Sequence, residues 1–264
     1  MSTYLYGAQL QANGIRQHYL RYGGSGPALI LIPGITSPAI TWGFVAERLG
    51  ERYDTYVLDV RGRGLSASGP DLAYDAETCA QDVTAFATAL GLSRYSLLGH
   101  SMGARFALRA AAQHPQGVQR VVLVDPPVSG PGRRAYPGKW PWYADSIRAA
   151  EAGISAEQMR AYCPTWSEEQ RQLRAEWLHT CYEPAIERAY TDFHQVDSHQ
   201  DYPRLTMPTL LMVAGKGEVI LPEDRAEICA LQPEISVVVV ENAGHMIPWD
   251  DEEGFFQALG DFLG

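Results

Sequence analysis

Leu97 Leu98 Gly99 His100 Ser101 Met102 Gly103 decides the fold, because it writes Gly-x-Ser-x-Gly directly behind an apolar run and in front of a helix. A strand that turns this sharply into a helix needs small residues on either side of the serine. The turn lifts Ser101 Oγ out at the sheet edge and aims the first backbone N–H groups of the helix at the same spot. Five letters also fit a helix-capping serine between two packing glycines, so the flanks matter. Tyr95 to Leu98 reads as a short buried strand, and Ala104 to Gln113 as an alanine-rich helix ending near Pro115.

Working outward, apolar runs bounded by Gly, Pro and Asp recur at Ala28 to Ile32, Thr55 to Leu58, Gln119 to Val124, Thr209 to Val213 and Ser236 to Val240. Such runs fit parallel strands covered on both faces. Ala76 to Leu90 and Glu253 to Leu263 carry the apolar spacing of amphipathic helices. The expected fold class is therefore α/β, a mostly parallel sheet with helices on both sides. From Ser129 to Pro208, about 80 residues pass without a convincing strand, too long for a structureless loop in a compact domain. Helical patterns around Tyr143 to Glu151, Ser155 to Ala161, Ser167 to Cys181 and Pro184 to Phe193 make this an inserted helical lid. The expected division is a core of residues 1–128 and 209–264 and a lid of residues 129–208, the lid opening on the stiff Pro126 to Gly132.

The chain has 264 residues and a formal charge of −10. That charge disfavours phosphate backbones and anionic lipid, so neither nucleic acid nor membrane is an expected partner. An anionic small substrate would need a local cationic pocket. No apolar window is long enough to span a bilayer, and Met1 to Asn13 lacks the basic and apolar blocks of an export signal, so a cytoplasmic protein is expected. Cys79, Cys163, Cys181 and Cys229 lie far apart, without Cys-x-x-Cys spacing, and read as reduced thiols. Oligomeric state is not encoded in any of these patterns.

A serine hydroxyl is a poor nucleophile at neutral pH and needs a base that titrates near 7. Of seven histidines, His245 follows the run ending at Val240 in Glu241 Asn242 Ala243 Gly244 His245, at the carboxyl end of the last strand, where open α/β sheets place their sites. His100 adjoins the serine, but neighbouring side chains in a sharp elbow point apart, and His18, His114 and His179 suit packing or exposed roles. A third group, a carboxylate, must fix the imidazole tautomer. Asp125 and Glu218 both obey the chain order. Asp125 is preferred because it ends a buried strand and Pro126 should hold it extended and stiff, whereas Glu218 lies in the looser Gly215 Lys216 Gly217 Glu218. Oxyanion donors are expected at the N–H of Met102 and the N–H of Ile35, the latter in the early loop Ile32 Pro33 Gly34 Ile35 Thr36. Asp59 to Ser66 lacks the lysine and spacing of a phosphate loop and reads as structural. His194, Asp197 and His199 do not promise a metal set, and no metal is expected.

With these residues in place, the chain resembles the α/β-hydrolase fold superfamily over its whole length. Asp59 to Ser66 matches that superfamily's Asp-x-Arg-Gly-x-Gly-x-Ser loop, and Asn242 to His245 its closing histidine loop. Two departures stand out. Pro33 occupies a position where many relatives have histidine, and Glu218 stands where many carry the aspartate, which strengthens Asp125. More narrowly, Trp42 to Arg48, Pro126 to Tyr136, Thr180 to Ala185 and Met246 to Asp251 resemble the family of N-formylmaleamate deformylases. That resemblance implies a cofactor-independent serine hydrolase of aerobic nicotinate breakdown, converting N-formylmaleamic acid and water to maleamic acid and formate. On this reading Arg133 and Arg134, with Lys139, are expected to hold the substrate carboxylate, and Trp42, Trp140 and Trp142 to wall the pocket. The competing readings are a carboxylesterase or carbon–carbon bond hydrolase on the same machinery, and a ligand-binding protein that keeps the fold without turnover.

Overall fold

A computed structural model describes residues 1–264. Eight strands form one sheet: β1 (Tyr4–Ala12), β2 (Ile15–Tyr22), β3 (Ala28–Ile32), β4 (Asp54–Leu58), β5 (Tyr95–His100), β6 (Val118–Val124), β7 (Thr209–Ala214) and β8 (Ser236–Val240). Their spatial order is β1-β2-β4-β3-β5-β6-β7-β8. From β4 to β8 every pairing is parallel. β1 and β2 are antiparallel additions at one edge, absent from the sequence expectation. Asn13-Gly14, both at positive φ, closes their hairpin in the manner of a two-residue turn. β1 is mostly exposed, as an edge strand on polar ground can be, so no apolar alternation announces it.

The helices outside the insertion are α1 (Gly43–Leu49), α2 (Ala76–Ala89) and α3 (Met102–Gln113) early in the chain, and α8 (Pro222–Leu231), α9 (Ile247–Asp250) and α10 (Glu252–Leu259) late in it. α2, α3 and α8 pack on one face of the sheet and α1 and α10 on the other, giving two apolar cores. Every residue of β5 is buried, as a strand covered on both faces requires. The last helix stops at Leu259, short of the expected Leu263, where Gly260 takes a left-handed φ of 48°.

Between β6 and β7 the chain builds only helices: α4 (Trp140–Glu151), α5 (Ala156–Met159), α6 (Glu168–Trp177) and α7 (Glu183–Gln195), with short 3₁₀ turns. Ser155 and Ser167 start α5 and α6 as reciprocal capping boxes with Gln158 and Gln170. Arg105, buried on α3, ties the insertion to the core by donating to the carbonyls of Ser129, Asp192, Phe193 and Val196.

The chain leaves β3 for β4 on one side and returns to β5 on the other. Ile32 and Gly99 are register partners, so the loops leaving β3 and β5 open side by side at a topological switch point.

Candidate active site

Ser101 sits at that switch point with φ 53° and ψ −118°, a strained conformation for a residue with a side chain. The strain is held by close packing: a Cβ on Gly99 would run into the backbone of Gly103, and one on Gly103 into the carbonyls of Ile32 and Pro33. The helix therefore starts at Met102, two residues earlier than its alanine content suggests.

His245 Nε2 lies 2.9 Å from Ser101 Oγ, and His245 Nδ1 lies 2.7 Å from Asp125 Oδ2. Asp125 is fully buried, and its other oxygen accepts from Ala214 N at 3.2 Å. Its φ is 46°, so Pro126 does not hold it extended. Its N–H is fixed on Met212 O of β7, and the chain turns left-handed there, which aspartate tolerates better than most residues. Glu218 also lies on the wall, but Asp125, not Glu218, carries the carboxylate at His245. His100 braces the base from behind: its Nε2–H donates to His245 O at 3.0 Å. Burial first, and the neighbouring His245 second, push the His100 pKa down to about 3, so it is neutral in this role.

The amides of Ile35, in the loop leaving β3, and Met102, the first residue of α3, donate to no acceptor in the chain. Arg63, fully buried, supports both residues: Nε donates to Ile35 O at 3.1 Å, and Nη2 lies 3.3 Å from Met102 Sδ. The Asp59 to Ser66 loop is thus structural. Asp59 binds Ala39 N, Leu65 N and His18 Nδ1, fixing the loop that carries Arg63.

A cavity of about 640 Å³ opens over Ser101, walled by the β3 loop, by residues 136–139, 142–143 and 162–166, and by Arg174. Tyr136 OH lies 3.4 Å from His245 Nε2 and accepts from Tyr143 OH at 3.3 Å. Burial raises the pKa of both phenols, so each remains a hydrogen-bond donor at neutral pH.

Several expected binding residues stand elsewhere. Arg133 is paired with Glu227 at 2.6 Å, and Arg134 with Asp224 at 2.5 Å as well as the carbonyls of Glu218 and Val219. With their N–H groups committed, neither lines the cavity. Trp42 is also off the wall: fully buried, it packs behind the site against His100 and Trp249, 5.4 and 4.8 Å between ring centroids. Trp140 packs on Tyr190, while Trp142 and Lys139 do reach the cavity. No three ligand-type side chains converge on a possible metal position.

Arg174, Tyr136, Tyr143 and Trp166 escaped the sequence reading as individual wall residues. A signal for Arg174 existed. The Ser167 capping box sets the phase of α6, which puts Arg171, Arg174, Ala175 and the following Leu178 on one buried face.

Residues 27–252 match the family model described as alpha/beta hydrolase fold. N-formylmaleamate deformylase of Pseudomonas putida is 71% identical over 263 residues, spanning 100% of this chain and 98% of that protein. The crystal structure of the N-formylmaleamic acid deformylase of Pseudomonas putida S16 superposes with a TM-score of 0.93 at 56% identity, covering 97% of this chain and all of that one. A more distant relative, the 2-(acetamidomethylene)succinate hydrolase of Mesorhizobium japonicum, is 26% identical over 92% of this chain and 90% of its own.

Proposed function

This chain belongs to the α/β-hydrolase fold family, and from that premise we propose that it hydrolyses N-formylmaleamic acid to maleamic acid and formate, as its 71%-identical relative is named for doing. The observation that carries the reading is the line from Asp125 through His245 to Ser101 Oγ, closed at 2.7 and 2.9 Å, beside two unspent amides.

In an N-formyl amide the nitrogen lone pair is shared by two carbonyls. The formyl carbon is correspondingly electrophilic, and the departing maleamate is a better leaving group than an amine. Ser101 Oγ attacks that carbon while its proton passes to His245 Nε2. The oxygen that becomes negative is received by the N–H groups of Ile35 and Met102, each worth on the order of 10² to 10³ in rate. His245 then protonates the nitrogen, the C–N bond breaks and maleamate leaves. Water gives a proton to His245 and its hydroxyl to the formyl carbon, Ser101 recovers its proton, and formate departs. Asp125 fixes the tautomer and stabilises the imidazolium throughout. The scheme calls on no cofactor.

The helices of residues 129–208 act on this reading as a lid over a core of 1–128 and 209–264, keeping water from the formyl-serine until maleamate has gone. A charge of −10 and four free cysteines suit a small-molecule enzyme of a reducing compartment, the cytoplasm.

The test compares kcat/KM for N-formylmaleamate, an aryl ester and a vinylogous diketone, with products identified. Formate and maleamate from the first substrate, at the highest kcat/KM of the three, are the expected result. Faster turnover of the ester or the diketone would move the assignment to a carboxylesterase or a carbon–carbon bond hydrolase.

A further inference from the structure

Arg174 is an unusual arginine for a chain this acidic. It is 3% exposed, lies on the cavity wall and forms no ion pair. Arg63, Arg105 and Arg171 are also buried without an ion pair, but they donate to several backbone carbonyls and none of them lines the cavity. Its Nη1 donates to Thr36 O and its Nη2 to Thr36 Oγ1, both at 3.1 Å. A guanidinium has five N–H groups. The remaining ones, Nε–H among them, find no acceptor in the chain. A buried guanidinium that keeps an N–H without an acceptor is unfavourable, and an acceptor arriving through the cavity would complete it.

We infer that Arg174 is the carboxylate subsite of this cavity, taking a small monoanion whose carboxylate lies a short, flat spacer away from the bond that Ser101 attacks. The inference rests on the proposed function and adds to it the group that reads the substrate's charge.

Three features support this assignment. The guanidinium lies over two indoles, 5.5 Å from the ring centroid of Trp142 and 5.6 Å from that of Trp166. Those rings attract the cation, and the burial of Arg174 strengthens a charged hydrogen bond made to it. The arrangement is braced from the core, since Trp166 stacks on Trp249 at 5.1 Å and Trp249 meets Trp42. Finally, the anchor of Arg174 is Thr36, the residue after Ile35, whose N–H faces the developing oxyanion. The residue that anchors Arg174 thus adjoins, in the chain, the residue that supplies an oxyanion donor. The other charged side chains on the wall are Lys139, exposed at the rim, and the acidic Glu218 and Asp250, neither of which pairs with Arg174. Burial raises the pKa of Asp250 above the ordinary carboxylate value.

The experiment has two arms. In the first, formate release is measured from N-formylmaleamate and from its methyl ester, with wild-type protein and with Arg174→Met and Arg174→Lys. Wild-type protein is expected to favour the acid over the ester by about 10- to 100-fold in kcat/KM, mainly through KM. That preference should collapse toward one in Arg174→Met and return only in part in Arg174→Lys, which lacks the planar fork. A preference retained in Arg174→Met overturns the inference while leaving the proposed function standing. In the second arm, calorimetry compares binding of maleamate and of neutral maleamide to wild-type protein and to Arg174→Met. This arm needs no turnover, and its wild-type half needs no folded variant. Tighter binding of the acid by wild-type protein, weakened at least about tenfold by Arg174→Met, supports the subsite. Equal binding of acid and amide by wild-type protein overturns it, whether or not formate is ever released.

Discussion

The sheet edge that carries Ser101, Asp125 and His245 and the helical insertion above it reach precision by different means. At the sheet edge, position comes from the backbone: Ser101 N is bound to Val124 O and Asp125 N to Met212 O, each at 2.8 Å, so strand pairing itself sets the side chains. In the insertion, position comes from side chains. Arg174 is placed by Thr36 and two indoles, and Tyr136 by Tyr143 and packing against Phe193. Backbone geometry restricts which residue types fit and leaves a motif. Side-chain packing admits many solutions and leaves only a pattern. Chemistry assigned to the first region should therefore fail almost completely when one residue changes, and selectivity assigned to the second should degrade by degrees.

The sharpest way to break this contrast is at Asp125. Asp125→Asn keeps the size of the side chain but presents the wrong partner to His245 Nδ1, and kcat should fall about 10⁴-fold. Glu218→Gln, measured alongside, should change kcat by no more than about threefold, since its carboxylate does not meet His245. Equal losses in the two variants would show that the strand end is not what fixes the base.

A smaller effect concerns stability. The His100 pKa of about 3 in the folded protein lies well below the ordinary value near 6.5. Between those limits the unfolded chain binds a proton that the folded chain refuses, so stability is lost as pH falls. One such group contributes a slope of about 1.4 kcal/mol per pH unit. His100→Gln, whose amide can still donate to His245 O, should flatten the loss measured by urea unfolding between pH 6 and pH 4. An unaltered slope would mean that His100 does not couple the sheet edge to proton uptake.

The smallest effects are expected at the arginines that open the insertion. Arg133→Met and Arg134→Met each break a partly exposed ion pair of at most about 1 kcal/mol, lowering the melting temperature by no more than about 2–4 °C. KM should move far less than in Arg174→Met. A large KM effect at Arg133 would place the anion site at the outer rim instead of the buried wall.

The same contrast governs what could be read from sequence. Gly99, Ser101 and Gly103 were legible because the elbow excludes other residues, and the late Gly244-His245 because it follows an apolar strand. The parallel strands were legible from their apolar runs. The β1–β2 hairpin was not, because an exposed edge strand carries no apolar signature, although Asn13-Gly14 marked its turn. Within the insertion, helices were legible from capping and spacing, but which arginine faces inward was not. Arg133 and Arg134 adjoin the prolines that open the insertion and are neutralised by Glu227 and Asp224, about ninety residues away in sequence. Such partners are set by tertiary packing, and only the phase of α6 pointed to Arg174. Trp42 was legible as an aromatic near the site but not as a residue packed behind His100 instead of on the cavity wall.

Formate release by wild-type protein and by Ser101→Ala, under identical conditions with N-formylmaleamate, tests the central claim most directly. The account predicts rapid formate and maleamate production by the wild-type protein and a loss of about 10⁵- to 10⁶-fold in the variant, which still binds maleamate. Formate production by Ser101→Ala within tenfold of the wild-type rate would contradict it.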